Sequence, residues 1–139
     1  MARILLMEDD VDLSTVLDEV LSSNGHVVTT SQSASEAFNL IAKNRYDLLI
    51  TDIIVLKDDA PVPDGGISLI SRLRGALSWN LEPWMKKMPI IAISGAIHNQ
   101  GMSELLKISR DLGADMAFGK PMDTDDLLQA INLLTKRSG

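Results

Sequence analysis

The chain has 139 residues, of which 45% are hydrophobic and 23% are charged, as expected for one globular domain with a core. It contains no cysteine, which excludes disulfides, thiolate metal sites and a cysteine nucleophile. Apolar runs such as residues 4–7 and 90–93 are too short to cross a bilayer, and the amino-terminal residues lack a secretory signal pattern. We therefore expect a cytoplasmic protein.

The net charge of −6 is unevenly distributed along the chain. Residues 1–69 carry 12 acidic and 4 basic side chains, whereas residues 70–139 carry 7 and 9. An acidic first half argues against a nucleic-acid surface there and is compatible with a bound hard cation. A solvated acidic face would give the same composition.

Short apolar runs alternate with helical patterns. The runs have the character of strands that are covered on both faces, and they comprise residues 4–7, 27–30, 48–51, 90–93 and 116–118. Apolar side chains recur at helical spacing in the intervening segments, which comprise residues 13–21, 34–41, 67–77, 102–112 and 127–134. A capping box of Ser33 and Glu36 opens the second of these helices. This alternation predicts one α/β domain over residues 1–139, with a five-stranded parallel sheet and helices on both faces.

Polar residues follow four of the predicted strands. Glu8, Asp9 and Asp10 follow the first strand, and the later strands are followed by Asp52, Ser94 and Lys120-Pro121. Ligand sites in open α/β sheets lie at this edge, although a helix cap, a turn and a surface lysine would each explain one residue alone. Carboxylates from two loops repel one another and favour a hard cation such as Mg²⁺. A nearby lysine suits phosphate oxygens, and an aspartate can accept a phosphoryl group covalently.

Four segments resemble the receiver (phosphoacceptor) domain of bacterial two-component response regulators. They are Ile4–Asp10, Tyr46–Asp52, Pro89–Ser94 and Gly113–Pro121. The resemblance covers nearly the whole chain and implies a flavodoxin-like, doubly wound (βα)5 fold with strand order 2-1-3-4-5. It implies Mg²⁺ and no organic cofactor.

The resemblance also implies roles for individual residues. Asp52 would accept a phosphoryl group from a phosphohistidine of a sensor kinase or a phosphotransfer protein. Lys120 would pair with a phosphoryl oxygen, and the hydroxyl of Ser94 would move onto the phosphoryl group. The metal ligands would be Glu8, Asp9, Asp52 and the backbone carbonyl of Ile54.

A protein of this class would be a switch that promotes only its own phosphorylation and dephosphorylation, and not an enzyme in the wider sense. Its partners would be the phosphodonor and a downstream protein target, without direct contact to nucleic acid or membrane, and a weak homodimer is compatible with this reading. Because few residues follow the last predicted helix, we expect a stand-alone switch, and a receiver segment of a longer chain is the alternative.

The chain departs from the family pattern in several places. The aromatic residue that usually lies three positions before the lysine is replaced by Ala117, and Phe118 should face the opposite side of its strand. The connection over residues 57–66 is longer than usual. Residues 76–88 form an extended helix or loop insertion that contains Trp79 and Trp84. These large side chains either pack on the third helix or form an interface.

Other classes of function fit less well. A flavodoxin-like nucleotide- or flavin-binding module should have a Ser/Thr/Gly-rich phosphate loop after the first strand, where this chain has Glu8, Asp9 and Asp10. A phosphatase of the aspartyl-phosphate type usually has an acid two residues after its nucleophile, where this chain has Ile54. A pseudo-receiver that is never phosphorylated is the remaining alternative, and it is disfavoured because all the pocket residues are present.

Overall fold

The fold is described by a computed structural model. It covers residues 2–53, 56–57, 60–61, 66–74, 81–94, 107, 110–111, 113–119 and 123–137. The strands are β1 (Arg3–Met7), β2 (Val27–Ser31), β3 (Leu48–Asp52), β4 (Leu56–Lys57), β5 (Ala60–Pro61), β6 (Ile90–Ser94) and β7 (Met116–Gly119). The helices are α1 (Val11–Ser23), α2 (Ala34–Lys43), α3 (Gly66–Arg74), α4 (Pro83–Lys87) and α5 (Thr124–Arg137).

Five strands form one parallel sheet in the order β2-β1-β3-β6-β7. Counted along this sheet alone, the order is 2-1-3-4-5, which confirms the α/β class and the doubly wound topology. The central strands β1 and β3 are buried along their length, apart from Arg3. This burial explains why they read as continuous apolar runs and not as alternating ones.

The two faces of the sheet carry separate cores, because successive strand residues point to opposite sides. Leu5, Met7 and Leu49 pack in a core to which α2, α3 and α4 contribute. Ile4, Leu6 and Ile50 pack in a second core to which α1 and α5 contribute. The parallel register pairs Met7 with Thr51 and Asp52 with Ile93, so β1, β3 and β6 end side by side.

The strand pair β4–β5 was not expected from the sequence, whereas helix α4 lies within residues 76–88, which were expected to form a helix or loop insertion. An antiparallel pair of short strands, β4 and β5, lies within the polar connection after β3. Met85 of helix α4 and its C-cap residue Met88 are buried in the core on the α2–α3 side. Trp84 packs against the same core while partly exposed. Packing on the domain itself therefore accounts for Trp84. Trp79 lies outside the described residues, as does most of the helix expected over 102–112, of which residues 107 and 110–111 are helical.

Arg74 joins three elements at the amino-terminal edge of β6 and β7. Its guanidinium donates to the carbonyl oxygens of Met85 (3.4 Å) and Met88 and lies 3.7 Å from the Asp115 carboxylate. Asp115 in turn accepts a hydrogen bond from the amide of Ile90 at 2.8 Å. Burial lowers the pKa of Arg74, and the charge of Asp115 opposes that shift. The arginine fixes α4 at the edge of the sheet that lies away from the strand carboxyl ends.

Candidate functional site

Three carboxylates meet at the carboxyl ends of β1 and β3. Glu8 and Asp9 follow β1, and Asp52 ends β3, the neighbouring strand. One carboxylate oxygen from each residue lies within 4.8 Å of the others. Glu8 is fully buried, Asp52 is 4% exposed and Asp9 is partly exposed. The structure thus brings together three of the residues that the sequence predicts for the site.

The cluster has the chemistry of a site for a hard divalent cation. Three negative charges at this separation repel one another, and burial strengthens the repulsion between Glu8 and Asp52. A cation with oxygen ligands relieves it, and Mg²⁺ suits a site with few protein carboxylates and room for water and phosphate. The donor set therefore fits Mg²⁺, with the partly exposed Asp9 on the solvent side.

The third acid of the sequence triplet has a different place. The carboxylate oxygen Oδ1 of Asp10 accepts hydrogen bonds from the amides of Asp12 (3.0 Å) and Leu13 (3.2 Å), so Asp10 is the N-cap of α1. The amide of Asp10 donates to Oε2 of Glu8 at 3.2 Å. Capping explains Asp10, whereas Glu8 and Asp9 belong to the carboxylate cluster.

Glu8 is also held through its main chain. Its amide donates to the carbonyl oxygen of Ser31 at the end of β2, at 2.9 Å. Sequence reasoning gave no role to Ser31. It could not have found this contact, because a backbone carbonyl acts in the same way whatever side chain the residue carries.

The other predicted site residues are described only in part. The backbone of Ser94 ends β6 and pairs with Gly119, while its hydroxyl lies outside what the structure describes. Lys120 and Ile54 also lie outside the described residues. The roles expected for these three residues remain predictions.

Strand β7 shows what replaces the usual aromatic residue. Ala117 packs against the core on the α2–α3 side, and Phe118 packs against the core on the α1–α5 side. The two side chains therefore point to opposite faces, as expected from strand geometry. Phe118 does not occupy the position of the missing aromatic ring.

Comparison with known families assigns the chain. A family model for the response regulator receiver domain matches residues 4–132. The chain belongs to this family. Receiver domains are the phosphorylation-dependent switches of two-component signal transduction, and they interact with a sensor kinase or a phosphotransfer partner. In the described part of the chain, no helix combines the length and apolar character that crossing a bilayer requires.

Curated relatives extend the match over nearly the whole chain. Transcriptional regulatory protein RprY of Bacteroides fragilis is 30% identical over 135 residues, which are 97% of this chain and 50% of that protein. Transcriptional regulatory protein DltR of Streptococcus agalactiae is 29% identical over 136 residues, which are 98% of this chain and 53% of that protein. The chain thus spans about half the length of the curated relatives it matches.

Solved structures agree with the fold. The receiver domain of Francisella response regulator 1452 has a TM-score of 0.79 at 26% identity and covers 100% of both chains. A CheY-like receiver domain protein of Methanospirillum hungatei has a TM-score of 0.74 at 25% identity, over 100% of this chain and 99% of that one. A putative response regulator of Chloroflexus aurantiacus, at 24% identity and a TM-score of 0.80 over 97% of this chain and 98% of that one, shares the fold.

Proposed function

We propose that Asp52 is the residue of this receiver domain that accepts the phosphoryl group. The observation that carries the proposal is the cluster of Asp52 with Glu8 and Asp9, whose carboxylate oxygens lie within 4.8 Å of one another. Asp52 ends a central strand of the sheet, where ligands of open α/β sheets bind. The donor would be a phosphohistidine of a sensor kinase or of a phosphotransfer protein.

The reaction is an in-line transfer between two side chains. A carboxylate oxygen of Asp52 forms a bond to phosphorus while the bond from phosphorus to the donor imidazole nitrogen breaks, and the imidazole nitrogen takes up a proton. Glu8, Asp9 and Asp52, together with the carbonyl of Ile54, would hold Mg²⁺, which would supply positive charge for the phosphoryl oxygens. Lys120 pairs with one of these oxygens, and the Ser94 hydroxyl binds another.

The product is an acyl phosphate on the protein itself. Water later attacks its phosphorus and regenerates the Asp52 carboxylate with release of inorganic phosphate, so the chain promotes only its own phosphorylation and dephosphorylation. We place this switch in the cytoplasm, where kinases have access to ATP, and assign its output to a downstream protein target. The buried carboxylates disfavour a flavodoxin-like nucleotide site, since they would repel a phosphate in the absence of a cation.

Labelling by a small phosphodonor tests the proposal. The protein is incubated with acetyl phosphate and Mg²⁺, and its intact mass is measured. We expect a gain of one phosphate that is absent in excess chelator and in Asp52→Asn, but retained in Asp12→Asn, an exposed acid of α1 outside the cluster. A mass gain that persists in Asp52→Asn, or without a divalent cation, would show that Asp52 is not the acceptor.

A further inference from the structure

The residue that joins the carboxylate cluster to helix α1 is Asp10. We propose that Asp10 is a positioning residue for the metal site: by capping α1 it holds the peptide group that orients the Glu8 carboxylate. The inference rests on the proposed function, because the site it serves is the Mg²⁺ site of the phosphoryl transfer. Asp10 is the one acid of the triplet Glu8, Asp9 and Asp10 that lies outside the carboxylate cluster.

The cap fixes the backbone of Asp10. Its side chain accepts from the amides of Asp12 and Leu13, its carbonyl oxygen accepts from the amide of Ser14 at 2.9 Å, and its φ and ψ are −77° and 106°. Extended dihedrals are those of an N-cap residue. Loss of the side-chain acceptor leaves two amides of the first turn without a protein acceptor and allows this turn to fray.

The fixed backbone in turn orients Glu8. The Asp10 amide donates to Oε2 of Glu8 at 3.2 Å, and the Glu8 amide is tied to Ser31 at 2.9 Å. Glu8 is fully buried, so protein contacts such as these, and not bulk water, orient its carboxylate. Groups that orient a metal ligand in this way affect metal affinity without contacting the ion.

The proposed role depends on the geometry of the cap and not on the charge of Asp10. Asparagine caps helices as well as aspartate does, whereas alanine does not. Removing the charge alone weakens long-range attraction of a cation through solvent, an effect that salt screens. Asp10→Asn and Asp10→Ala both remove the charge, and only the alanine variant removes the cap. The comparison between these two variants isolates the geometric role.

The experiment measures Mg²⁺ affinity by calorimetry, together with the melting temperature in chelator. We expect Asp10→Asn to bind Mg²⁺ within about threefold of the original protein, and Asp10→Ala to bind roughly tenfold more weakly than Asp10→Asn. Ser33→Ala is the matched control, because it removes the N-cap of α2, where the Ser33 hydroxyl accepts from the amide of Glu36. It should lower the melting temperature comparably and leave Mg²⁺ affinity unchanged.

The Mg²⁺ affinities of the variants test the positioning role of Asp10, and the Mg²⁺ affinity of the original protein tests the proposed function. Equal Mg²⁺ affinity in Asp10→Ala and Asp10→Asn would overturn the positioning role, and so would an equal loss of affinity in Ser33→Ala. If the alanine variant does not fold, Asp10→Gly replaces it, since glycine is tolerated at the N-cap without a side-chain acceptor, and the same tenfold loss is expected. Failure of the original protein to bind Mg²⁺ would instead contradict the proposed function.

Discussion

The charge of Asp52 has an effect that is measurable without any phosphodonor. Because Asp52 is buried close to Glu8 and Asp9, Asp52→Asn should relieve repulsion and raise the melting temperature in chelator. We expect a gain of about 3–5 °C, equivalent to roughly 1 kcal/mol for a domain of this size. Saturating Mg²⁺ should reduce the difference, because the cation stabilises the original protein and relieves the same repulsion.

Thermal unfolding with and without Mg²⁺ measures this effect. Asp12→Asn serves as the control, because Asp12 is exposed outside the cluster, and it should change the melting temperature little in either condition. Equal melting temperatures for Asp52→Asn and the original protein in chelator would contradict the electrostatic account of the cluster.

His26 makes the stability of the fold depend on pH. Its Nδ1 accepts a hydrogen bond from the Ala2 amide at 3.1 Å, and burial lowers the pKa of His26 in the folded protein below 6.5. The unfolded chain therefore binds a proton first as the pH falls, so the free energy of unfolding decreases below about pH 6.5. Above that pH His26 is neutral in both states, and this contribution is fully present.

Urea unfolding at about pH 7.5 and about pH 5 measures the effect. His26→Asn removes the titrating group, and an amide oxygen takes the place of Nδ1 as the acceptor. The original protein should lose more stability between the two pH values than His26→Asn. An equal loss of stability in the original protein and in His26→Asn would show that protonation of His26 does not contribute to the pH dependence of folding.

At the scale of elements, two glycines with positive φ provide a test of close packing. Gly25, with φ of 89°, follows the C-cap of α1, and a Cβ at this position would meet no other atom within 4 Å. At Gly113, with φ of 124°, a Cβ would lie 2.6 Å from Cγ of Arg74. Gly25→Ala should cost about 1 kcal/mol through backbone strain alone. Gly113→Ala should cost roughly 2–4 kcal/mol, since it adds a steric clash that moves Arg74.

Chemical denaturation measures the free energy of unfolding of Gly25→Ala and Gly113→Ala. The excess cost at Gly113 should shrink but not vanish when Arg74→Ala is also present, because the contact with Cγ is removed while the contact with Cβ, at 2.9 Å, remains. Similar costs at the two glycines would contradict the packing of Arg74 against the connection to β7.

Elements with strong local signals were predictable, and those defined by long-range contacts were not. Apolar runs identified the strands of the sheet, and Ser33 was confirmed as the N-cap of α2. In α1, however, Val16 is an apolar residue of the segment 13–21 and is 51% exposed, while Ser14 is buried. Which residues of α1 are buried depends on where the helix packs against the sheet and not on side-chain hydrophobicity alone.

The acidic residues of the site were predictable from the sequence, whereas the contacts that hold them were not. Acids at strand ends identified Glu8, Asp9 and Asp52, because the carboxyl ends of parallel strands share one edge of a sheet. The contact from Ser31 to Glu8 and the link from Arg74 to α4 depend on backbone groups and on partners distant in sequence. Sequence patterns carry no signal for such contacts.

For the molecule as a whole, the substitution at Ala117 changes how occupancy of the site can be communicated. The usual aromatic ring is missing, and Phe118 belongs to the core on the opposite face. We expect signalling to proceed through Ser94 and the segment that follows it. With a phosphoryl mimic and Mg²⁺, amide exchange should change mainly over residues 94–106 and 53–66, with little change in β7.

Ser94→Ala should abolish these exchange changes while the mimic still binds. The amides of Ala117 and Phe118 serve as internal controls, since their exchange should be similar with and without the mimic. Changes that are largest at Ala117 and Phe118 and that survive Ser94→Ala would contradict this route.

The proposed acyl phosphate on Asp52 can be located chemically, which tests the assignment of the phosphoacceptor most directly. Borohydride reduces an aspartyl acyl phosphate to homoserine, and trypsin cleavage after Arg45 and Lys57 isolates a peptide whose two acids are Asp47 and Asp52. After treatment with acetyl phosphate and Mg²⁺, fragmentation of this peptide should locate homoserine at position 52 alone, and chelator should abolish it. Homoserine at position 47, elsewhere in the chain or without a divalent cation would contradict the account.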